Sequence, residues 1–325
     1  MTGEIGFFEA AERVLSPVLE HEALGGLLEG LHASGALRAM LTPVAAARWP
    51  ETVGTTPEVA AALLQALLTH QVVEDTDDGV ALTPPWRALV ADTAYADLGD
   101  GLRHGRITSR LLAAVGTGDY WDLPPEDRIA FARSVSPDPY AEGLVAAFRA
   151  DVGSDPDRAD LITGCHVLEL GCGVAGRILT MMRAAPGLTA VGVELSPDLA
   201  AEASRRADEL GLTERFTVVC ADAAQFSTDE RFDRVFWSQF FFPTSSRAAA
   251  LATARRHLRS GGRLQAPVAT DDPGDRLFRV LLASWGIPLR SADELAAEIG
   301  DAGFTHVELV GAGTPGPTSV RAVRP

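Results

Sequence analysis

The chain of 325 residues contains no lysine, so all 28 of its basic residues are arginine. The 44 acids outnumber them, and the formal net charge is −16. That field disfavours polyanionic partners such as nucleic acid or an anionic membrane surface. Cysteine is scarce. Cys165, Cys172 and Cys220 form no CxxC pair and no zinc spacing, so a reduced, cytoplasmic compartment is expected. No run of about 18 apolar residues occurs, so no membrane span is expected. The opening "MTGEIGFFEAAERVL" has early acids and no basic stretch, and does not read as a signal peptide. What is present, 46% hydrophobic and 22% charged residues, is ordinary for a globular chain long enough for two domains.

Residues 1–100 read as mainly helical, with apolar residues at helical spacing in "LGGLLEGLHASGALRAML". A short helix, a turn, a helix opened by Thr56-Pro57 and two strands around "DTDDG" follow. Pro at the first helical position and Asp-Gly in a hairpin support that order. This is the outline of a winged helix. Reading DNA would require basic groups on the second helix. That helix, residues 57–70, is "PEVAAALLQALLTH", without Arg or Lys. Being apolar nearly all round, it suits burial in a dimer interface better than DNA. Residues 101–150 read as a helical linker or lid, broken at "GTGDY", "LPPEDR" and "SPDPY".

From 151 to 325 strands and helices alternate. The strands are "HVLEL", "TAVGVEL", "FTVVCAD", "FDRVFWS", "RLQAPV", "HVELV" and "TSVRAV". Helices are expected from Gly176, after Ser196-Pro197, and over about 246–259, 274–285 and 291–302, with "SGG" as the turn into "RLQAPV". The fold class is therefore α/β: a doubly wound, mostly parallel, seven-stranded Rossmann-like sheet beside a helical, winged-helix-like domain. The last two strands lack a helix between them and are expected to be antiparallel.

"VLELGCGVAGR", residues 167–177, contains Gly171-x-Gly173-x-x-Gly176, the spacing of a dinucleotide loop. Such a loop lies at the carboxyl end of the strands, where glycines let backbone approach a ligand. Taken alone it is a weak signal. Glu169 precedes it by two residues, and a carboxylate there repels phosphate but attracts an ammonium. Glu194 ends the next strand and can accept from both ribose hydroxyls of either cofactor. Asp222, in "CADAAQF", is placed to accept from an adenine amino group. With "LRSGGRL" at 258–264 and "SADELAAEIGDAGF" at 291–304, this ordered set resembles the class I S-adenosylmethionine-dependent methyltransferases over about 140–325. The first part resembles the winged-helix dimerisation domain of bacterial small-molecule O-methyltransferases. Ala175 departs from the glycine more usual there, but Gly176 follows at once.

The resemblance implies S-adenosylmethionine as cofactor and S-adenosylhomocysteine as product. It further implies a homodimer and a small-molecule substrate from secondary metabolism. The implied cofactor residues are Glu169, Gly171, Cys172, Gly173, Glu194, Leu195, Asp222 and Ala223, with Ser238 beside them and Tyr140 over the methionine end. Arg177 either reaches the same end or lies on a surface helix face.

Methyl transfer is an in-line displacement, so the protein must align the nucleophile and, for a hydroxyl, remove its proton. The resembling O-methyltransferases carry a His-Asp pair after the fourth strand. Here "WSQFFFPTSSR" has no His, Asp or Glu, and no Asn-Pro-Pro-aromatic motif occurs. Asp271 and Asp272 follow "RLQAPV", but "FDRVFWS" supplies no partner, so no metal is expected. On a helix over about 102–115, His104, Ile107, Leu111 and Val115 share one face. His104 is either a general base on the lid or a hydrogen-bonded core histidine. His257 reads as a helix-end capping or surface residue. Phe240, Phe241 and Phe242, with Trp237, Tyr120 and Trp121, either wall a substrate pocket or fill a domain-interface core. Gln239 and Ser238 are the nearest polar groups. The missing His-Asp pair keeps an alternative open, a protein of this fold recruited for an aziridine-forming or pericyclic ring closure. A nicotinamide oxidoreductase is disfavoured by Glu169, Asp222 and the C-terminal hairpin, and a regulator by the uncharged helix.

Overall fold

The computed structural model describes residues 7–154, 159–268, 276–311 and 318–325. The chain divides into two units, Met1–Leu102 and Arg103–Pro325. The linker segment expected over 101–150 thus falls almost wholly in the second.

In the first unit, helices Trp49–Thr52 and Pro57–Thr69 lead into β1 (Val73–Thr76) and β2 (Gly79–Leu82), the winged order. Thr56 caps the second helix, its side chain accepting from the Val59 amide, and Pro57 takes the first helical position. The hairpin is antiparallel, with Val73 opposite Leu82. The apolar helix does not wait for a partner. Ala60 and Leu67 are buried, and Leu63, Leu64 and Leu68 pack on the same core as Leu37, Trp49, Val80 and Leu82. The Trp49 indole also donates to the Ala60 carbonyl at 2.8 Å. One face of the helix is thus used by its own domain, while Val59 and the rest of the other face stay exposed. Among the described residues of this unit, exposed large apolar side chains lie at Phe8, Val14, Leu15, Val18 and Leu19, at Val59 of this helix, and at Leu89 and Tyr95.

The second unit is built on a seven-stranded sheet. Its strands are β3 (His166–Leu170), β4 (Thr189–Glu194), β5 (Phe216–Cys220), β6 (Phe232–Trp237), β7 (Leu258–Pro267), β8 (Thr305–Val310) and β9 (Ser319–Val323). Their spatial order is β5-β4-β3-β6-β7-β9-β8. The first five run parallel, and β9 pairs antiparallel with both β7 and β8. Alternate residues serve opposite faces. On one face Val167 and Ala190 pack with Ile178, Leu179 and Met182 of helix Gly176–Ala184. On the other, Leu168, Leu170, Val235 and Leu264 pack with Ala250 and Leu251 of helix Thr244–His257 and with Leu295 and Ile299 of helix Ala292–Asp301. Burial on both faces explains why these strands read as apolar runs.

Two boundaries differ from expectation. β7 starts at Leu258 and runs through Ser260-Gly261-Gly262, where its register against β6 shifts between the Phe232–Leu258 and Arg234–Arg263 pairs. The glycines are an irregularity inside a strand, with Gly261 at φ +76°, rather than a turn before it. The helix expected over about 102–115 is Leu98–Ala113, so Val115 lies beyond its end and is exposed, while Ile107 and Leu111 are buried.

Candidate functional site

The carboxyl ends of β3 and β4 form one side of the site. Gly171 and Gly173 hold left-handed backbone at φ +73° and +56°. The Gly171 amide donates to the Val193 carbonyl at 2.9 Å. A Cβ on Gly171 would lie 2.8 Å from the Phe242 ring, so glycine is required for space as well as for φ. The Cys172 sulfur fills the place of a side chain at Gly192, 2.8 Å from where a Cβ would stand. Ala175 is itself left-handed at φ 58°. At Gly176 the absent Cβ admits the Pro137 carbonyl and the Ser136 hydroxyl, which pack the 136–138 turn onto the loop.

Glu194 is buried and ties the loop to the next strand. Its carboxylate accepts from the Gly173 amide at 2.8 Å and the Ser196 amide at 2.9 Å. Burial nevertheless raises its pKa above the usual carboxylate value. Glu169 is only 2% exposed. Its Oε2 has no hydrogen-bond partner, and burial pushes its pKa up to about 7 against the pull of Arg177. The Arg177 guanidinium sits 3.5 Å from the centre of the Phe236 ring. Buried carboxylates without partners are rare in folded chains, and such an oxygen is suited to a cation. Leu195 is exposed at the same edge, and Ala223 is buried. Asp222 forms a local turn, its Oδ1 accepting from the Ala224 amide at 2.8 Å. The Ser238 amide, just past β6, donates to Leu170 at 3.0 Å.

Tyr140, expected over the methionine end, is exposed. Its hydroxyl donates to Glu209 at 2.6 Å, at the C-terminal end of helix Pro197–Glu209, and its ring faces Arg206. The 136–138 turn occupies the position against the loop instead. The structure also corrects Trp237 and Gln239 as pocket walls. Trp237 is fully buried in the sheet core, against Phe242 and under the Arg247 guanidinium at 4.7 Å. Gln239 is buried with its amide committed at both ends: it donates to the Pro267 carbonyl at 3.0 Å and accepts from Arg247 at 2.8 Å. Arg247 donates to Glu298 through two nitrogens, at 2.8 and 2.7 Å. A buried arginine therefore orders the turn after β6, where the resembling enzymes have a base. Neither its burial nor its partner, 51 positions along the chain, leaves a sequence signal.

Beside that turn lies an aromatic cluster. Tyr120 packs against Trp121, Phe131, Phe241 and Trp285, and Phe131 against Phe278. Phe131, Phe278 and Trp285 are absent from the sequence reading, because each sits alone among polar or aliphatic neighbours with no motif around it. Trp121 is largely exposed, and Phe240 is half-buried. His104 is half-buried, its ring 4.1 Å from that of Phe131. The Ser134 hydroxyl donates its proton to the Phe131 carbonyl at 2.7 Å and stands 2.6 Å from His104 Nδ1. Nδ1 must then be the donor of the His–Ser contact, which leaves the lone pair of a neutral ring on Nε2. His257 is buried, correcting its surface assignment. Its Nε2 accepts from the Thr228 amide at 3.1 Å, and burial lowers its pKa.

Among the described residues no three His, Cys, Asp or Glu side chains cluster as a metal site; Asp271 and Asp272 lie outside those residues. No helix among them is long and apolar enough to cross a membrane.

Residues 167–262 match the family model described as a methyltransferase domain. Over 101 residues the chain is 32% identical to the ubiquinone biosynthesis O-methyltransferase of Methylococcus capsulatus, which covers 31% of this chain and 42% of that protein. The chain spans less than half the length of the curated relatives it matches. Two solved structures follow almost the whole chain. The S-adenosylmethionine-dependent methyltransferase SibL, in its apo form, is 20% identical with a TM-score of 0.64, over 96% of this chain and 98% of its own. The mitomycin 7-O-methyltransferase MmcR is 18% identical with a TM-score of 0.61, over 97% and 98%. The fold is that of the class I S-adenosylmethionine-dependent methyltransferases. More particularly, it is the fold of the O-methyltransferases in which a helical first part precedes the Rossmann-like domain.

Proposed function

We propose that the chain is an S-adenosylmethionine-dependent methyltransferase acting on a small molecule of secondary metabolism. The observation that carries this is the unpartnered, buried Glu169 carboxylate beside the glycine loop. It fits an ammonium and opposes a pyrophosphate. The residues present fit the cofactor. Glu169 receives the ammonium, Gly171, Cys172 and Gly173 make the close backbone approach, and Glu194 with Leu195 borders the ribose. Asp222 and Ala223 border the adenine, and Ser238 completes the rim. When bound, the cofactor supplies an electrophilic methyl group on a sulfonium.

The chain's own part is to orient the acceptor and manage its proton. Phe240 and Phe241 line the acceptor side. His104 takes the acceptor proton on Nε2, with Ser134 fixing the ring through Nδ1. The matched methyltransferase domain and the named mitomycin enzyme support this reading, and no described geometry favours the ring-closure alternative. Mass spectrometry of the small molecule carried by the purified protein, with calorimetry of S-adenosylmethionine, tests it. Binding of a nicotinamide dinucleotide in its place would overturn it.

The same proposal makes the protein a cytoplasmic homodimer. The exposed side chains of Phe8, Val14, Leu15, Val18 and Leu19 offer a second copy an apolar face, and three unpaired cysteines suit a reducing compartment. Light scattering that reports a monomer at micromolar concentration removes the dimer.

A further inference from the structure

The aromatic cluster holds donors that its packing leaves unused. Around Tyr120 and Phe131 the ring centroids stand 5.6–6.0 Å apart in tilted and edge contacts with Phe241, Phe278 and Trp285. The Trp285 indole N–H is buried without a hydrogen-bond partner. The Thr108 hydroxyl is also buried and unpartnered, one helical turn beyond His104 on the same helix face. Tyr120, itself 8% exposed, brings a hydroxyl to the same cluster. Burial and the nearby Glu194 carboxylate raise its pKa, so it keeps its proton. Buried donors are satisfied in nearly all folded structures, and two orphans at one cluster point to a ligand that satisfies them.

Hydroxyls can donate or accept, but an indole N–H only donates. Trp285 therefore defines what the ligand must present there, a hydrogen-bond acceptor, and the surrounding rings favour one carried by a flat aromatic system. We infer that this cluster is the acceptor pocket for a planar aromatic molecule bearing a carbonyl oxygen, and that Trp285 is its specificity-determining donor. The inference rests on the methyltransferase reading and adds the substrate class to it. Binding parts rings that touch in this structure. The surrounding phenylalanines contribute stacking area without choosing among oxygens. Loss of the N–H leaves the acceptor oxygen unpaired, which is how a buried donor rejects the wrong analogue.

The test uses the full chain loaded with S-adenosylhomocysteine and two fluorescent probes. 7-Hydroxycoumarin has a lactone carbonyl in a two-ring plane, and 2-naphthol has the same two-ring size without one. The wild type is expected to bind 7-hydroxycoumarin about tenfold more tightly, the effect of one uncharged buried hydrogen bond. Trp285→Phe removes that preference, so that 7-hydroxycoumarin binds no more tightly than 2-naphthol, while S-adenosylhomocysteine affinity holds. Its melting temperature holds or rises, because an orphan donor leaves the interior. A merely structural tryptophan gives a lower melting temperature and equal loss for both probes, and that result overturns the inference. So does a wild type that binds both probes equally or neither, a comparison that needs no variant. Failure of the wild type to bind S-adenosylhomocysteine overturns the cofactor reading beneath it; normal S-adenosylhomocysteine binding without carbonyl preference overturns this inference alone.

Discussion

The carboxyl edge of the sheet is built differently on its two sides. At β3 and β4, polar side chains face a glycine loop, and one carboxylate oxygen of Glu169 is left without a partner. After β6, the polar groups of Gln239, Arg247 and Glu298 satisfy one another. The first side holds polarity open for a ligand. The second spends polarity on holding a turn, and leaves recognition to the rings beyond it. A missing base after β6 is thus not a gap in the structure, because a buried arginine network occupies that place. In the proposed reading the acceptor proton goes instead to His104, on helix Leu98–Ala113.

The largest expected effect breaks this comparison at that helix. His104→Gln is expected to lower kcat by at least about a hundredfold on a hydroxyl acceptor, the low end of what a positioned base contributes. Its melting temperature should stay close to that of the wild type. Steady-state kinetics with thermal denaturation decides: a lower melting temperature with near-normal turnover makes His104 a core residue only.

On the proposed cofactor side, Glu194→Ala removes the acceptor of the Gly173 and Ser196 amides, and with it the proposed ribose contacts. Cofactor affinity is expected to fall by up to about a hundredfold, corresponding to roughly 1–3 kcal/mol for a hydrogen-bonded buried group. Calorimetry with S-adenosylmethionine reads it directly, and an unchanged Kd places the cofactor elsewhere.

The same asymmetry decided what the sequence could convey. Glu169, the glycine loop and Glu194 lie within or just beyond two consecutive strands, so their spacing is short and their geometry follows from the strand ends. Strands β3, β4 and β6 were readable because burial on both faces writes apolar runs. Trp237 and Gln239 were misplaced because a residue after a strand can point into the core or toward the ligand, and local sequence does not choose. The Arg247–Glu298 pair joins two helices across the core, and Trp285 joins the cluster only after the chain has folded back. The apolar helix Pro57–Thr69 buries Ala60 and Leu67 in its own domain and leaves Val59 exposed, a division that its near-uniform hydrophobicity does not mark.

A smaller effect sharpens the cofactor side through pH. Burial raises Glu169 to a pKa of about 7 in the empty protein, whereas a bound ammonium favours its ionised form. Above pH 7 the carboxylate is already charged and affinity is full. Below it, binding must first expel a proton, so affinity is expected to fall by up to about tenfold per pH unit. The sign for stability is opposite to that of a salt-bridged acid. The folded chain holds this proton more tightly than the unfolded one, so Glu169 destabilises the empty protein as pH rises from its usual value of 4.5 toward 7. Calorimetry between pH 6 and 8 on the wild type and Glu169→Gln checks both; a pH-independent wild-type Kd removes Glu169 from the ammonium.

The smallest effect is expected at Tyr140, and it separates sequence position from place in the fold. Tyr140 lies in "SPDPY", shortly before the cofactor strand, yet its hydroxyl goes to the exposed Glu209 at the far end of a helix. Glu209 also pairs with Arg205, so it keeps a partner when the phenol is removed. The ring stays beside Arg206, whose guanidinium donates to the Val174 carbonyl of the glycine loop at 3.0 Å. Tyr140→Phe keeps the ring and deletes only the exposed hydrogen bond, and exposed contacts of this kind contribute little. Cofactor affinity and melting temperature should both match the wild type. Tyr140→Ala also removes the ring beside Arg206, and should lower the melting temperature more than cofactor affinity. A selective loss of cofactor affinity in Tyr140→Phe would return this residue to the methionine end, and the 136–138 turn would then have to move on binding.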